Sequence, residues 1–264
     1  MENTPVIVIP IYKKEISKNE QISLLRCFKV LGRHKIIFCG PESLDISTYE
    51  TLLEREIHIE RFENEYFKNI GGYNRLMLSK EFYQRFINYD YMLIYQPDCY
   101  VFHDELDHWC RQGYDYIGSP WLTYRVYNLS RFKKMVFFSK QFLLKFIEKI
   151  PKDESIEYKV GNGGFSLRNP KKFLSILQKI NSERLEKYMG TDSYSLWNED
   201  VFWSYEVNKY IPQLKIPFYK KAAGFSLELN PNIGIKMNRN RLPFGCHGWY
   251  KKMSFWKQYI NEFS

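Results

Sequence analysis

Tyr91-Met-Leu-Ile-Tyr95-Gln-Pro-Asp98-Cys-Tyr-Val101 runs a hydrophobic stretch straight into an acidic residue. Such a stretch reads as a strand buried on both faces, the kind that parallel sheets covered by helices contain. Working back toward the start, Pro5-Val-Ile-Val-Ile-Pro-Ile11 is a second apolar run, rich in β-branched residues. Glu20–Leu31 follows with apolar residues at helical spacing (Ile22, Leu24, Leu25, Phe28, Leu31), and Lys35-Ile-Ile-Phe-Cys39 is a strand that stops at Gly40-Pro41. This opening is β-α-β. Glu56–Glu60 adds a third short strand and Tyr73–Ile87 a helix, so that Tyr91–Tyr95 becomes the fourth strand. The alternation predicts an α/β chain with a Rossmann-like, mostly parallel central sheet flanked by helices.

Composition agrees with a packed domain and excludes several classes. In 264 residues there are 20 Phe, 21 Tyr and 6 Trp, too many aromatics for a disordered chain. The longest apolar runs, Pro5–Ile11 and Met135–Phe138, fall short of the roughly 18 residues a membrane span needs. Met1–Pro5 lacks a basic n-region, so a cytoplasmic location is expected. The net charge of +9 favours an anionic partner: a nucleic acid, a nucleotide-linked substrate or an anionic membrane. Cys27, Cys39, Cys99, Cys110 and Cys246 form no Cys-x-x-Cys pair, which argues for packed, reduced thiols.

Downstream, Tyr116–Trp121 reads as a strand entering a loop, Ser139–Ile150 as a helix, and Gly161–Arg168 as a glycine-rich turn running into a strand. Asn169-Pro170 starts another helix, Asn198–Tyr210 is a further one, and from Ala222 the chain reads as loop up to a basic aromatic tail. No Pro/Ser-rich linker separates the halves, so one domain over 1–264 is expected: a nucleotide-binding half (1–101), a smaller acceptor and catalytic subregion (102–250) and a tail (251–264).

Four constellations could carry chemistry. Asp98 stands at the carboxyl end of a buried strand, where ligands of open sheets bind, although it could equally be a turn residue after Pro97. Gly161-Asn-Gly-Gly164 allows close approach of a substrate to the backbone. The stretch Asp192–Trp203 carries Asn198-Glu199-Asp200 at a helix start; these acids either complement the helix dipole or supply a general base among aromatics. His247, between Cys246 and Gly248, is open enough for a metal or phosphate contact, and a structural role is the alternative.

In chain order these features resemble a GT-A glycosyltransferase. The likeness is to a bacterial family of glycosyltransferase-like domains from polysaccharide and O-antigen (lipopolysaccharide) gene clusters. It rests on Asp115-Tyr-Ile-Gly-Ser-Pro-Trp121, Gly161–Arg168, Asn198-Glu-Asp200, Ala223-Gly-Phe-Ser-Leu-Glu228 and Pro243-Phe-Gly-Cys-His247-Gly-Trp249. A more distant similarity is to Fringe-like and β-1,3-galactosyltransferases. Their Asp-x-Asp-x-Tyr-Val segment matches Gln96–Val101, which puts Asp98 on the metal-binding aspartate, and their Glu-Asp-Val helix start matches Glu199-Asp200-Val201. The resemblance implies a metal-dependent, inverting hexosyltransferase acting on a UDP-sugar. Asp98 and His247 would hold Mn²⁺ or Mg²⁺, and Glu199 and Asp200 are the catalytic candidates, with Asp200 as base. Pro10, Ile11, Tyr12, Tyr73, Asn74, Arg75, Gln96, Pro97, Asp98, Gly163 and Gly164 would bind the nucleotide-sugar, and Trp121, Trp197 and Trp203 the acceptor.

One position departs from the pattern: Gln96 replaces the first acid, leaving one carboxylate and one imidazole for the cation. Without a cation, Arg75, Lys80, Lys220, Lys221 or Lys251 would have to neutralise the diphosphate. Three other classes remain open: a catalytically inactive sugar- or nucleotide-binding protein, a basic nucleic-acid-binding module, and a glycosidase using Asp98 and Asp200. The basic aromatic stretches Tyr124–Phe142 and Trp249–Phe263 would either rest peripherally on the inner membrane, near a lipid-linked acceptor, or form solvated faces.

Overall fold

The computed structural model describes residues 4–147, 152–189 and 195–260. Eleven strands occur among them: β1 Pro5–Pro10, β2 Lys35–Pro41, β3 Ile59–Phe62, β4 Tyr91–Tyr95, β5 Tyr100–Val101, β6 Tyr116–Ile117, β7 Ser119–Pro120, β8 Val160–Gly161, β9 Phe165–Arg168, β10 Ser226–Leu227 and β11 Gly245–Cys246. The main sheet has the order β3-β2-β1-β4-β9-β6. Its first four strands are parallel, while β9 runs antiparallel to both β4 and β6. The expected α/β architecture with a mostly parallel sheet is therefore present.

Both faces of this sheet are covered, which is why its strands are apolar throughout. Along β1, Ile7 and Ile9 enter one core and Val6 and Val8 the other; along β4, Leu93 and Tyr95 oppose Met92 and Ile94 in the same way. The helix Lys18–Leu31 covers the first face with Leu24, Cys27 and Leu31. The helices Ile70–Met77, Lys80–Arg85 and Pro170–Lys179 cover the second. Each fully enclosed aliphatic side chain contributes about 1.5–3 kcal/mol of hydrophobic stabilisation. Local signals set the boundaries: Ser17 and Glu20 form a capping box ahead of Lys18, and Asn169 caps the helix that Pro170 opens.

Several boundaries differ from expectation. The helix expected over 73–87 is two helices, because Ser79 caps the second one through the Phe82 N–H. The helix expected from Ser139 begins at Arg131, and residues 148–150 of that expectation lie outside the described residues. In place of one helix from Asn198, Glu199–Val201 gives way to a π-helical turn over Phe202–Glu206. After Ala222 the chain is less loop-rich than its composition suggests, with helices over Tyr219–Phe225 and Pro231–Met237. The tail is not a surface strip either: Trp249, Trp256 and Ile260 are buried in the first core, and residues 261–263 lie outside the described residues. Among the described residues no helix is long and apolar enough to cross a membrane.

Two small sheets complete the architecture. In the first, β11 pairs antiparallel with β5 and parallel with β10; in the second, β7 pairs antiparallel with β8.

Candidate active site

The site begins where β4 ends. Gln96-Pro97-Asp98-Cys99 makes a turn closed by the Cys99 N–H donating to the Gln96 carbonyl at 2.9 Å. The chain then enters β5, whose Tyr100 lies opposite Cys246 of β11. That register carries His247 to Asp98: His247 Nε2 is 3.0 Å from Asp98 Oδ1 and 3.1 Å from Gln96 Oε1. On the other side of β11, Leu227 pairs with Cys246, so the next residue, Glu228, reaches His247 Nδ1 at 2.9 Å.

These contacts define the charge of the corner. Burial opposes a charged imidazole, but hydrogen bonds to Asp98 and Glu228 outweigh it and hold His247 protonated up to about 10. Burial likewise pushes the Asp98 and Glu228 carboxyls up, and His247 outweighs it, keeping both below the usual carboxylate range. The same atoms suit a divalent cation. A near-octahedral ion with ligands at about 2.1 Å requires neighbouring ligand atoms roughly 3.0 Å apart. The separations from His247 Nε2 to Asp98 and Gln96 match that edge. Glu228, accepting from Nδ1, would fix the tautomer that turns the Nε2 lone pair inward. Cys99 Sγ also lies near the group, but it donates to the Gly164 carbonyl at 3.1 Å and burial pushes its thiol well up, so it stays a neutral thiol.

The glycine-rich turn forms the adjoining wall, and close approach explains its composition. A Cβ on Gly161 would lie 2.1 Å from the Trp121 ring, one on Gly163 would lie 2.0 Å from Glu199 Oε1, and one on Gly164 would lie 2.3 Å from His247 Nε2 and 2.6 Å from Gln96 Oε1. Asn162, at φ +73°, ties the parts together. Its Oδ1 accepts from the Gly164 and Phe165 N–H groups, its Nδ2 donates to Glu228 Oε2 at 2.6 Å, and its backbone N–H donates to Asp200 Oδ2 at 3.2 Å. Gly164→Ala should therefore displace the His247 ring while leaving both cores intact. For a cation held at this corner, isothermal titration with Mn²⁺ is expected to show at least a tenfold loss of affinity, within the 10- to 100-fold range typical when the residues that orient a metal ligand are disturbed.

The two adjacent acids have different surroundings. Asn74 accepts from the Glu199 N–H at 3.1 Å and donates to Asn198 Oδ1 at 3.1 Å, so its amide is committed to holding this helix start. Glu199 is buried, and its Oε1 pairs with Arg168 Nη2 at 2.9 Å. Arg168 is fully buried too and donates to Ser166 Oγ and Tyr83 Oη. Among the described residues, Glu199 Oε2 has no hydrogen-bond partner. Asp200 is half-buried and accepts from its neighbour Val201 N–H at 2.8 Å and from Asn162. Burial, then the charges of Glu199 and Glu228, push its carboxyl up to about 7. A carboxyl poised near neutrality is suited to accept a proton, whereas the Glu199 carboxylate is engaged by Arg168.

The remaining expected residues divide. Pro10 and Ile11 are buried, with the Ile11 N–H donating to the Cys39 carbonyl at 2.8 Å, whereas Tyr12 beyond them is exposed. The Tyr73 hydroxyl is buried near Gln96, Glu199 and Arg168. Arg75 donates to the Met189 carbonyl at 3.3 Å. Pro97 is half-buried within the turn. Of the five basic candidates for the diphosphate, Lys251 reaches the corner, its Nζ 3.8 Å from Asp98 Oδ2. Trp121 is buried in the second core against Gly161, which leaves it little face for a sugar, and Trp197 is half-buried against Tyr188. Trp203 must be corrected: it is wholly enclosed, packed between Tyr83, Phe173 and Phe202 with its N–H on the Met77 carbonyl, so it has no face for a sugar. Asn162 and Glu228 were the residues missed as site members, although both lie inside quoted motifs.

Comparison with known proteins adds to this geometry. Residues 56–247 match the family described as "Protein of unknown function (DUF5672)". The chain belongs to that family. No curated protein matches it. Among solved structures, the WbbM bifunctional glycosyltransferase aligns with 94% of this DUF5672 chain at 11% identity and TM-score 0.50; the chain spans 46% of that protein's length. The galactosyltransferase LgtC, solved with donor and acceptor sugar analogs, aligns over 92% of this chain and 86% of its own at 15% identity and TM-score 0.51. Mouse xyloside xylosyltransferase 1 aligns over 92% and 96% at 10% identity and TM-score 0.53. The DUF5672 chain thus has the GT-A-type fold of these glycosyltransferases.

Proposed function

We propose that this chain transfers a hexosyl group from a UDP-sugar to a hydroxyl of a saccharide acceptor, with inversion, in the synthesis of bacterial surface polysaccharide. The observation that carries the reading is the meeting of Gln96, Asp98 and His247 at the end of β4, beside a carboxyl poised near 7. The fold shared with glycosyltransferases and the likeness to O-antigen cluster domains support it. Residues 1–101 would bind the nucleotide and 102–250 the acceptor, in the cytoplasm, where five buried free thiols stay reduced.

A bound Mn²⁺ or Mg²⁺ would act as a Lewis acid toward the leaving diphosphate. Asp98 and His247 would hold it with the Gln96 amide oxygen, and Glu228 would orient the imidazole. Lys251 would add a fixed positive charge to the same phosphate oxygens. Tyr12 would lie against the base, and Trp197 would flank the sugars. Asp200 would take the proton of the attacking hydroxyl. In-line attack on the face opposite the diphosphate inverts the anomeric centre, an outcome that NMR of the first-formed product reads directly.

Thermal unfolding with UDP, GDP, CDP or dTDP, each with and without Mn²⁺, tests the reading. One nucleotide is expected to raise the melting temperature with cation present, since a ligand at 100 times its Kd adds about 2.7 kcal/mol to the native state. Asp98→Asn should abolish the cation's part of that shift. Failure of every nucleotide to shift the transition sinks the proposal. Gln96, in place of an acid, favours one second reading, a sugar-nucleotide-binding protein without transfer; nucleotide binding with no turnover of any donor would establish that instead.

A further inference from the structure

The helix Arg131–Ile147 is apolar on two sides. Its inner side is clamped to the protein: Phe138 packs on Tyr158 and Tyr219, and Gln141 donates to the Glu154 and Glu157 carbonyls at 2.9 Å each. Its outer side recurs at helical spacing and faces solvent, with Phe132 69%, Met135 58%, Phe142 57% and Leu143 63% exposed, joined by Val136 and Phe146. Water-exposed apolar stripes of this extent mark interaction surfaces. The chemistry of the partner follows from the charges. Arg131, Lys133, Lys134, Lys140 and Lys145 lie on this helix and no Asp or Glu does. Lys145 Nζ lies 4.7 and 4.8 Å from the Phe142 and Phe146 ring centroids, so cation and apolar surface are presented together.

We infer that this helix docks on an anionic lipid bilayer, its apolar stripe entering the headgroup boundary and its cations meeting the lipid phosphates. A second copy of the chain would press one basic helix against another, whereas an anionic bilayer complements both the stripe and its charge. The helix also lies close to the site: Phe138 packs on Tyr158, whose N–H donates to the Trp121 carbonyl, and the Trp121 ring lies against Gly161. A bilayer at this face would bring a lipid-linked acceptor near the glycine turn, a consequence that rests on the transferase reading; the docking does not.

Flotation of the full chain with phosphatidylglycerol-rich vesicles, against phosphatidylcholine vesicles, tests it without any measurement of transfer. Enrichment is expected on the anionic vesicles, weakened by high salt. Lys133→Glu/Lys140→Glu and, separately, Phe132→Ser/Leu143→Ser should each lower partitioning by about tenfold or more, since each basic residue near such a surface contributes severalfold. Circular dichroism melts of both variants, matching the parent, would show that the fold is retained. No enrichment on anionic vesicles, or enrichment that both variants keep, overturns the inference. So does a concentration-dependent dimer that Phe132→Ser/Leu143→Ser dissolves, which would make a second copy the occupant.

Discussion

Asp200→Asn is expected to lower the turnover of the donor by about 10²- to 10⁴-fold and to leave nucleotide affinity unchanged, the range a positioned general base contributes. Asparagine keeps the size of the side chain, but its single acceptor oxygen can keep only one of the two N–H bonds that Asp200 takes on separate oxygens from Asn162 and Val201, and it cannot take a proton. Calorimetry with UDP and a transfer assay separate the two effects; near-normal turnover in the variant would refute the assigned base. The pH dependence of the parent carries the same information. With the carboxyl raised to about 7, the rate should climb as pH passes through that value and the base form accumulates. Stability runs the other way. The folded chain keeps this proton up to about 7 whereas an unfolded aspartate releases it near 3.8, so the contribution present below about 4 is lost between there and 7. The active ionisation state is thus also the less stable one.

The largest effect on stability is expected from Arg168→Met. Arg168 and Glu199 are both removed from water, and taking away one member leaves the other charge uncompensated, which typically costs about 3–5 kcal/mol. For a chain of this size that corresponds to a fall in melting temperature of roughly 10 °C. The same substitution also strips Tyr83 and Ser166 of their donor. Adding Glu199→Gln removes the stranded charge, so the double variant should regain at least part of the loss. A double variant no more stable than Arg168→Met would show that the pairing charge matters little, and that packing around Arg168 sets the cost.

The legible part of the fold was the part built from long apolar runs. β1, β2 and β4 announce themselves because both sides of each strand are covered, so no alternation interrupts them. Asp98 and His247 could be proposed from position and from family likeness, and the fold brings them together. Glu228 and Asn162 were harder to see. Glu228 joins the site through two-residue strands, too short for any periodicity to register, and Asn162 does so through a left-handed backbone conformation. Trp203 misled because an aromatic beside an acid pair looks the same in sequence whether it faces a cleft or a core. Arg168, at the end of a strand, gave no sign that its guanidinium is enclosed. Its partner Glu199 is 31 residues away.

The ladder of β5, β11 and β10 also has a kinetic meaning. Gln96 and His247 stand 151 residues apart along the chain, and closing so long a loop carries an entropic cost that local contacts do not offset. The parallel half of the sheet, with its nearer partners, can condense first, whereas the corner awaits the return of the far segment. Assembly of this corner is then expected late on the folding path, and a corner substitution such as Gly164→Ala should speed unfolding more than it slows folding. A ligand gripping it would hold the finished protein together by slowing its opening, and would do little to hasten its formation.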